Sequence, residues 1–242
     1  MKKKLKILIP VGTVLALIAA FLIYTGVYYR ADDMALAAVR SEQAVSVSET
    51  DYGWFFDGPS EQDLLVFYPG AKVEETAYAP LMRLFADRGM DVCLVKMPFR
   101  LAFFGLNRAD DVFAVYSHEN RYIGGHSLGG AMAAEYAAGH GGDLSGVILL
   151  AAYPTKPLDG RLLLLSVYGS EDGVLNTQKV AEGRQYAPAR YTEQIIPGGN
   201  HAQFGNYGAQ KGDGVAMISA AAQQEQTAEL ILQTVLRADI DT

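Results

Sequence analysis

Cysteine is almost missing from this 242-residue chain, where Cys93 stands alone. One thiol cannot close an intramolecular disulfide, so the fold must rest on its buried core. Cys93 lies in the apolar run "DVCLVKMP" and reads as a small buried hydrophobe rather than a catalytic thiol. Low-complexity tracts and repeats of 20–50 residues are also lacking, which argues against solenoids and propellers. Proline is sparse, with 9 residues against 25 glycines, and half of the chain is hydrophobic. That composition suits one α/β domain with a substantial core, and the length is short for two. Only four histidines are present, so candidates for imidazole chemistry are few.

Basic charge is scarce and badly distributed. Residues 1–30 hold four Lys and one Arg of the 20 basic residues and none of the 27 acidic ones, leaving 15 basic against 27 acidic, a net of −12. A domain that acidic is a poor partner for nucleic acid or anionic lipid, both polyanions. Its partners are expected to be neutral or cationic small molecules.

The N-terminus is different in kind. "MKKKLK" precedes 23 residues without charge, Ile7 to Tyr29, which as a helix would span roughly 34 Å against a hydrocarbon core of about 30 Å. Lys2, Lys3, Lys4 and Lys6 place the N-terminus in the cytoplasm by the positive-inside rule and the rest of the chain outside. A cleaved signal peptide is the competing reading, but its apolar core would be about 7–15 residues. The first small-residue site, Ala35-Leu36-Ala37, lies beyond Asp32 and Asp33. The run is therefore expected to be an uncleaved single-pass anchor in the bilayer. The expected organisation is an anchor over 1–30, a juxtamembrane stalk over 31–43 and a folded domain over 44–242.

Beyond the stalk, "AVSVSET" and "GWFFDG" alternate like an opening pair of strands. A regular rhythm follows. The runs "DLLVFYPG", "DVCLVKMP", "RYIGG", "LSGVILLAAYP", "RLLLLSVYG" and "YTEQIIPGG" read as strands. Helices are expected between most of them, at "EETAYAPLMRLFADRGM", "NRADDVFAVYSH", "SLGGAMAAEYAAGH" and "TQKVAEGRQYA", with a long one around "GVAMISAAAQQEQTAELILQTVLR". Strands that are apolar throughout and alternate with helices predict a doubly wound, mostly parallel sheet with helices on both faces. Ligands of such sheets bind beyond the C-terminal strand ends.

At one such end stands Gly125-His126-Ser127-Leu128-Gly129, a G-x-S-x-G pattern between a strand and a helix. A nucleophile on a very tight strand-to-helix turn is lifted above the sheet, and small neighbours are required because strand and helix nearly touch. The helix also aims unpaired N–H groups at the place where an oxyanion would form. A serine that merely caps the helix is the bland alternative, but it leaves the flanking glycines unexplained.

A serine hydroxyl needs a base oriented by an acid. His201 follows the last strand in a glycine-rich loop, "IIPGGNHAQFGNYG", from which an imidazole reaches back over the sheet. His118 reads as a surface residue, His126 as packing, and His140 as a helix-end partner of the dipole. "SVYGSEDGV" places Glu171 and Asp172 just past a buried strand, and the spacing favours Asp172. The order Ser127, Asp172, His201 is the order of G-x-S-x-G hydrolases.

On "FYPGAKV", "GGHSLGGAMAA", "YGSEDGV" and "GGNHAQFGNYG", the chain from about Asp63 onward resembles the α/β-hydrolase superfamily. More closely, it is similar to small bacterial membrane-anchored serine hydrolases related to the dienelactone-hydrolase-like branch. The resemblance implies an oxyanion hole made by the backbone N–H groups of Ala71 and Leu128. Many relatives carry His-Gly where this chain has Pro69-Gly70. Dienelactone hydrolases proper use a cysteine, which Ser127 replaces, so lactone specificity does not carry over.

The implied activity is acyl transfer from a small carboxylic ester, with no metal and no organic cofactor. Thioester or amide cleavage, and a non-catalytic binding protein on the same fold, remain the alternatives. Only "TKPLDG" separates two strands where many relatives insert a lid, so no lid domain is expected. In "MPFRLAFFGLNR", Phe99, Phe103 and Phe104 are candidates for lining an acyl pocket or for packing toward the anchor. Lys96, Arg100, Arg108 and Asp110 crowd the same loop and stay unassigned, as does the oligomeric state.

Overall fold

The structure, a computed structural model, describes the backbone of residues 2–42 and 44–240 and the side chains of residues 12–42 and 44–235. It opens with helix α1 (Lys2–Gly26) and the short α2 (Asp33–Ala38), which Asp32 caps by accepting from the Ala35 N–H. Among the described residues no helix is long and apolar enough to cross a membrane. Residues 1–11 of the anchor expected over 1–30 lie outside the described side chains, and the bilayer-spanning reading gains no support here.

Strands β1 (Ser46–Thr50) and β2 (Gly53–Asp57) form an antiparallel pair. β3 (Asp63–Tyr68), helix α3 (Ala79–Ala86) and β4 (Met90–Val95) begin the alternating part. Then come α4 (Arg108–Val115), β5 (Asn120–His126), α5 (Leu128–His140), β6 (Gly146–Leu150) and β7 (Leu163–Gly169). α6 (Thr177–Gly183), β8 (Arg190–Ile196) and α7 (Ala220–Ile240) complete the chain. The eight strands lie in the order β1-β2-β4-β3-β5-β6-β7-β8, and all pairs from β4 to β8 are parallel. The doubly wound expectation holds, and residues 151–161, between β6 and β7, contain no helix.

Central strands read as continuous apolar runs because both faces are covered. Alternate residues feed opposite cores: Leu65, Phe67, Val92 and Leu94 pack on one face with α3 and α7. Leu64, Val66, Cys93 and Val95 pack on the other with Ala109, Val112 and the alanines of α5. All eight are essentially inaccessible, and burial pushes the Cys93 thiol up to about 12.

Two expected elements differ. The run expected as one helix after β3 begins as a 3₁₀ turn, Glu75–Tyr78, and becomes α-helical only at Ala79 with Pro80 in its first turn. The last helix starts at Ala220 rather than near Gly214. Residues 213–219 are instead held on the loops around His201: Asn200 Nδ2 donates to the Gly214 carbonyl at 2.9 Å and the Met217 N–H to that of Gly198 at 2.7 Å.

Candidate active site

The serine turn has the strain its sequence implies. Ser127 adopts φ 54° and ψ −122°, a backbone conformation that non-glycine residues hold only when their surroundings enforce it. Its N–H donates to the Leu150 carbonyl at 2.9 Å and its own carbonyl accepts from Ala131 at 3.0 Å. A Cβ on Gly125 would lie 2.6 Å from the Gly129 carbonyl carbon, and one on Gly129 would lie 2.1 Å from the Tyr68 oxygen. Strand and helix do nearly touch, so any larger residue at either position must displace backbone.

His201 precedes a 3₁₀ turn over Ala202–Phe204. Its Nδ1 lies 2.9 Å from Asp172 Oδ2, and both side chains are only 1% exposed. The other Asp172 oxygen accepts the N–H groups of Val174 and Leu175 at 2.9 and 2.8 Å. A carboxylate on Nδ1 keeps the proton there and leaves Nε2 as the basic nitrogen. Nε2 is buried and has no hydrogen-bond partner among the described residues. Glu171 makes no contact of this kind: its carboxylate accepts from Ser170 Oγ instead.

Ser127 and His201 share the wall of one cavity of about 300 Å³ with Leu128, Ala131, Ala151–Tyr153 and Val174–Asn176. The wall is apolar apart from the two site residues, the Tyr153 ring and Asn176. Ala71 is not part of this wall. Its loop nevertheless lies against the serine turn, since a Cβ on Gly129 would meet the Pro69 carbonyl at 2.3 Å. Neither Ala71 nor Leu128 donates its N–H to another described residue.

The three phenylalanines are elsewhere. Phe99, Phe103 and Phe104 are about half exposed, and Phe21 of α1 packs edge-on against Phe99 at 5.1 Å and Phe104 at 5.8 Å. Phe99 and Arg100 hold left-handed φ, and none of the three rings lines the cavity shared by Ser127 and His201; Phe103 and Phe104 line a separate cleft with Arg108 and Asp110. Of the charged residues nearby, Lys96 lies 3.7 Å from Glu49 and 3.9 Å from Glu75, and Arg108 lies 3.8 Å from Asp111. Asp110 accepts from Tyr136 Oη at 2.6 Å.

Among the other histidines, His118 is not a surface residue. Its Nε2 meets Asp91 Oδ2 at 2.9 Å with the two side chains 6% and 2% exposed. Polar neighbours in sequence concealed a buried pair formed across the fold. His140 bonds the Tyr136 carbonyl through Nδ1 and stacks on that ring, as a helix-end residue should. His126 is packed, and more closely coupled to the site than packing alone implies. Its Nδ1 lies 2.8 Å from Tyr78 Oη, which also accepts the Gly70 N–H at 3.1 Å, and its ring centroid is 4.5 Å from that of His201. Burial, and next the charge of His201, hold its pKa well below the ordinary histidine range.

Asp213 gave no signal in the sequence, where it is one acid in a glycine-rich loop. Its carboxylate gathers four backbone N–H groups: Gly173 and His201 at 3.1 Å, and Gly214 and Ala202 at 2.8 Å. One side chain thus joins the loop after the acid to the turn carrying the base. Among the described residues no group of three or more His, Cys, Asp or Glu is placed to hold a metal ion.

Residues 64–225 match the sequence profile of the alpha/beta hydrolase family. The chain belongs to that family. Solved structures agree on the fold. This hydrolase superposes on a membrane phospholipase A described as a novel bacterial virulence factor, with TM-score 0.61, 13% identity and 99% of each chain covered. The carboxylesterase CesB of Bacillus subtilis matches with TM-score 0.56, 11% identity and coverage of 84% of this chain and 95% of that one. A dienelactone hydrolase from Anabaena variabilis matches with TM-score 0.55, 13% identity and coverage of 80% and 97%. No curated protein sequence matches it.

Proposed function

We propose that this alpha/beta hydrolase is a serine esterase that cleaves a small carboxylic ester through Ser127, His201 and Asp172. The observation that carries the reading is a pairing: His201 is held by Asp172 at 2.9 Å, while its unpartnered Nε2 shares a cavity with a serine strained onto a tight turn. In the first step Nε2 takes the Ser127 proton as Oγ attacks the ester carbonyl. The Ala71 and Leu128 N–H groups stabilise the oxyanion, and His201 then gives the proton to the departing alkoxide. Water enters by the same route in reverse and releases the acid. Asp172 stays ionised throughout and keeps the imidazole in the useful tautomer. The modest apolar cavity favours a short or medium acyl group over a charged one.

The neighbours named as a carboxylesterase and a phospholipase are consistent with ester chemistry. The uncharged run from Ile7 to Tyr29 behind four lysines supports a membrane-anchored enzyme with its hydrolase domain outside. Alkaline carbonate washing of membranes tests that part, since a spanning chain stays in the pellet and a peripheral one is released.

The function is tested by labelling the full chain with a fluorophosphonate, beside Ser127→Ala. Labelling that vanishes in the variant supports an activated serine. A folded wild-type chain that does not label overturns the reading.

A further inference from the structure

The end of the N-terminal helix is built into the loop that carries Ala71. The Tyr29 N–H donates to the Lys72 carbonyl at 2.8 Å, and the Glu74 N–H donates to the Tyr29 carbonyl at 2.9 Å, making a parallel bridge outside the sheet. The Glu74 carboxylate then accepts the Ala31 N–H at 3.1 Å. Two cations continue the grip. Lys72 Nζ sits 4.0 Å from the centre of the Tyr24 ring, and the Arg100 guanidinium sits 3.5 Å from that of Tyr28. Lys72 and Arg100 are joined by a backbone hydrogen bond of 2.8 Å, and both hold left-handed φ, at 57° and 58°. Neither forms a salt bridge among the described residues.

The same segment also reaches the loop that follows His201. The Asp32 N–H donates to the Asn206 carbonyl at 2.9 Å, the Lys211 N–H to Tyr29 Oη at 3.3 Å, and the Tyr29 and Tyr207 rings lie 5.5 Å apart. Residues 24–32 therefore touch both the loop that carries Ala71 and the loop that follows His201. Strained residues persist only where their surroundings hold them. Here much of that surrounding comes from a segment that the sequence sets apart as anchor and stalk.

We infer that Tyr24, Tyr28 and Tyr29 are positioning residues of the hydrolase, holding the Gly70–Glu74 loop so that the Ala71 N–H meets the developing oxyanion. The inference rests on Ala71 being an oxyanion donor. Loss of a donor from such a hole costs about 10²–10³ in kcat, so partial misplacement should cost about tenfold.

The test uses the full chain in detergent micelles. A Tyr24→Ala/Tyr28→Ala pair is compared with Tyr24→Phe/Tyr28→Phe, which keeps the ring faces under the cations. Turnover of a short p-nitrophenyl ester is normalised to the serine that a fluorophosphonate labels, so unfolded molecules do not count. Hydrogen exchange of the amides at 70–74 is followed in parallel. The alanine pair should lower kcat about tenfold with KM within twofold and speed exchange at 70–74, and the phenylalanine pair should restore both. Unchanged exchange in the alanine pair overturns the inference even if the chain proves not to be an esterase. Faster exchange with kcat unchanged also overturns it, while leaving the esterase reading intact.

Discussion

The two halves of the site are held in different ways. The side proposed to supply acid and base is assembled locally, in the C-terminal part of the sheet. Asp172 and His201 extend from β7 and β8, which pair directly, and Asp213 fastens their loops together with four N–H contacts to a single carboxylate. The side proposed to hold the oxyanion has no such residue. Its loop carries Lys72 in a left-handed conformation, leans on a second strained loop at Phe99 and Arg100, and is closed by residues 24–32 from the other end of the chain. Hydrogen bonds to a charged acceptor are short, directional and strong. Ring faces and single backbone bridges are softer, and their grip is lost when a distant segment moves. One half is rigid by chemistry, the other by attachment.

The comparison breaks most sharply at the reacting groups. Ser127→Ala or His201→Ala should each lower kcat by about 10⁴-fold or more, with the thermal midpoint nearly unchanged, as read by ester turnover and differential scanning fluorimetry. Asp172→Asn should cost about 10⁴-fold, because the amide favours the wrong imidazole tautomer. Asp213→Asn tests the fastening. It should lower kcat by about 10- to 100-fold and stability by roughly 2–3 kcal/mol in urea titration, since amide geometry cannot accept all four donors. An Asp213→Asn enzyme with unaltered kcat would show that the triad loops hold themselves.

Two smaller effects sharpen the contrast. His126 is buried with its pKa depressed, so the unfolded chain binds a proton that the folded one refuses. Its unfavourable contribution is absent above about pH 6.5 and grows as pH falls toward the depressed folded value, by up to about 1.4 kcal/mol per pH unit. Thermal melts between pH 7.5 and 5 should show this loss, and His126→Gln should flatten it. Smallest of all, Phe103→Ala should change kcat/KM for a short ester by less than about twofold, because the ring lies outside the cavity wall.

Much of this was legible in sequence for physical reasons. Apolar runs such as "DLLVFYPG", short, closed by turn residues and alternating with helical patterns, fit strands covered on both faces, and glycines on both sides of Ser127 suit a bend where backbones nearly collide. Ser127, Asp172 and His201 each stand just past a strand end, where a parallel sheet presents side chains to ligand, so sequence position alone made them candidates. For the Phe99–Phe104 loop the sequence left two placements open, an acyl pocket or packing toward the anchor, and the rings of Phe99 and Phe104 pack on Phe21 of α1. His118 and Asp213 were missed because their partners, Asp91 and the N–H groups of Gly173 and His201, are distant in sequence. A polar residue's burial depends on such partners more than on its neighbours.

The bridge between Tyr29 and Val73 also decides where the chain can be shortened. A soluble version cut after Arg30, where the uncharged run stops, would remove the backbone bonds that Tyr29 makes with Lys72 and Glu74. If the proposed role of this loop is right, the lower activity of such a version would be misread as a property of the enzyme. The better seam lies ahead of Phe21, with the exposed Leu22 and Ile23 exchanged for polar residues, so that the last turns of α1 travel with the domain they support.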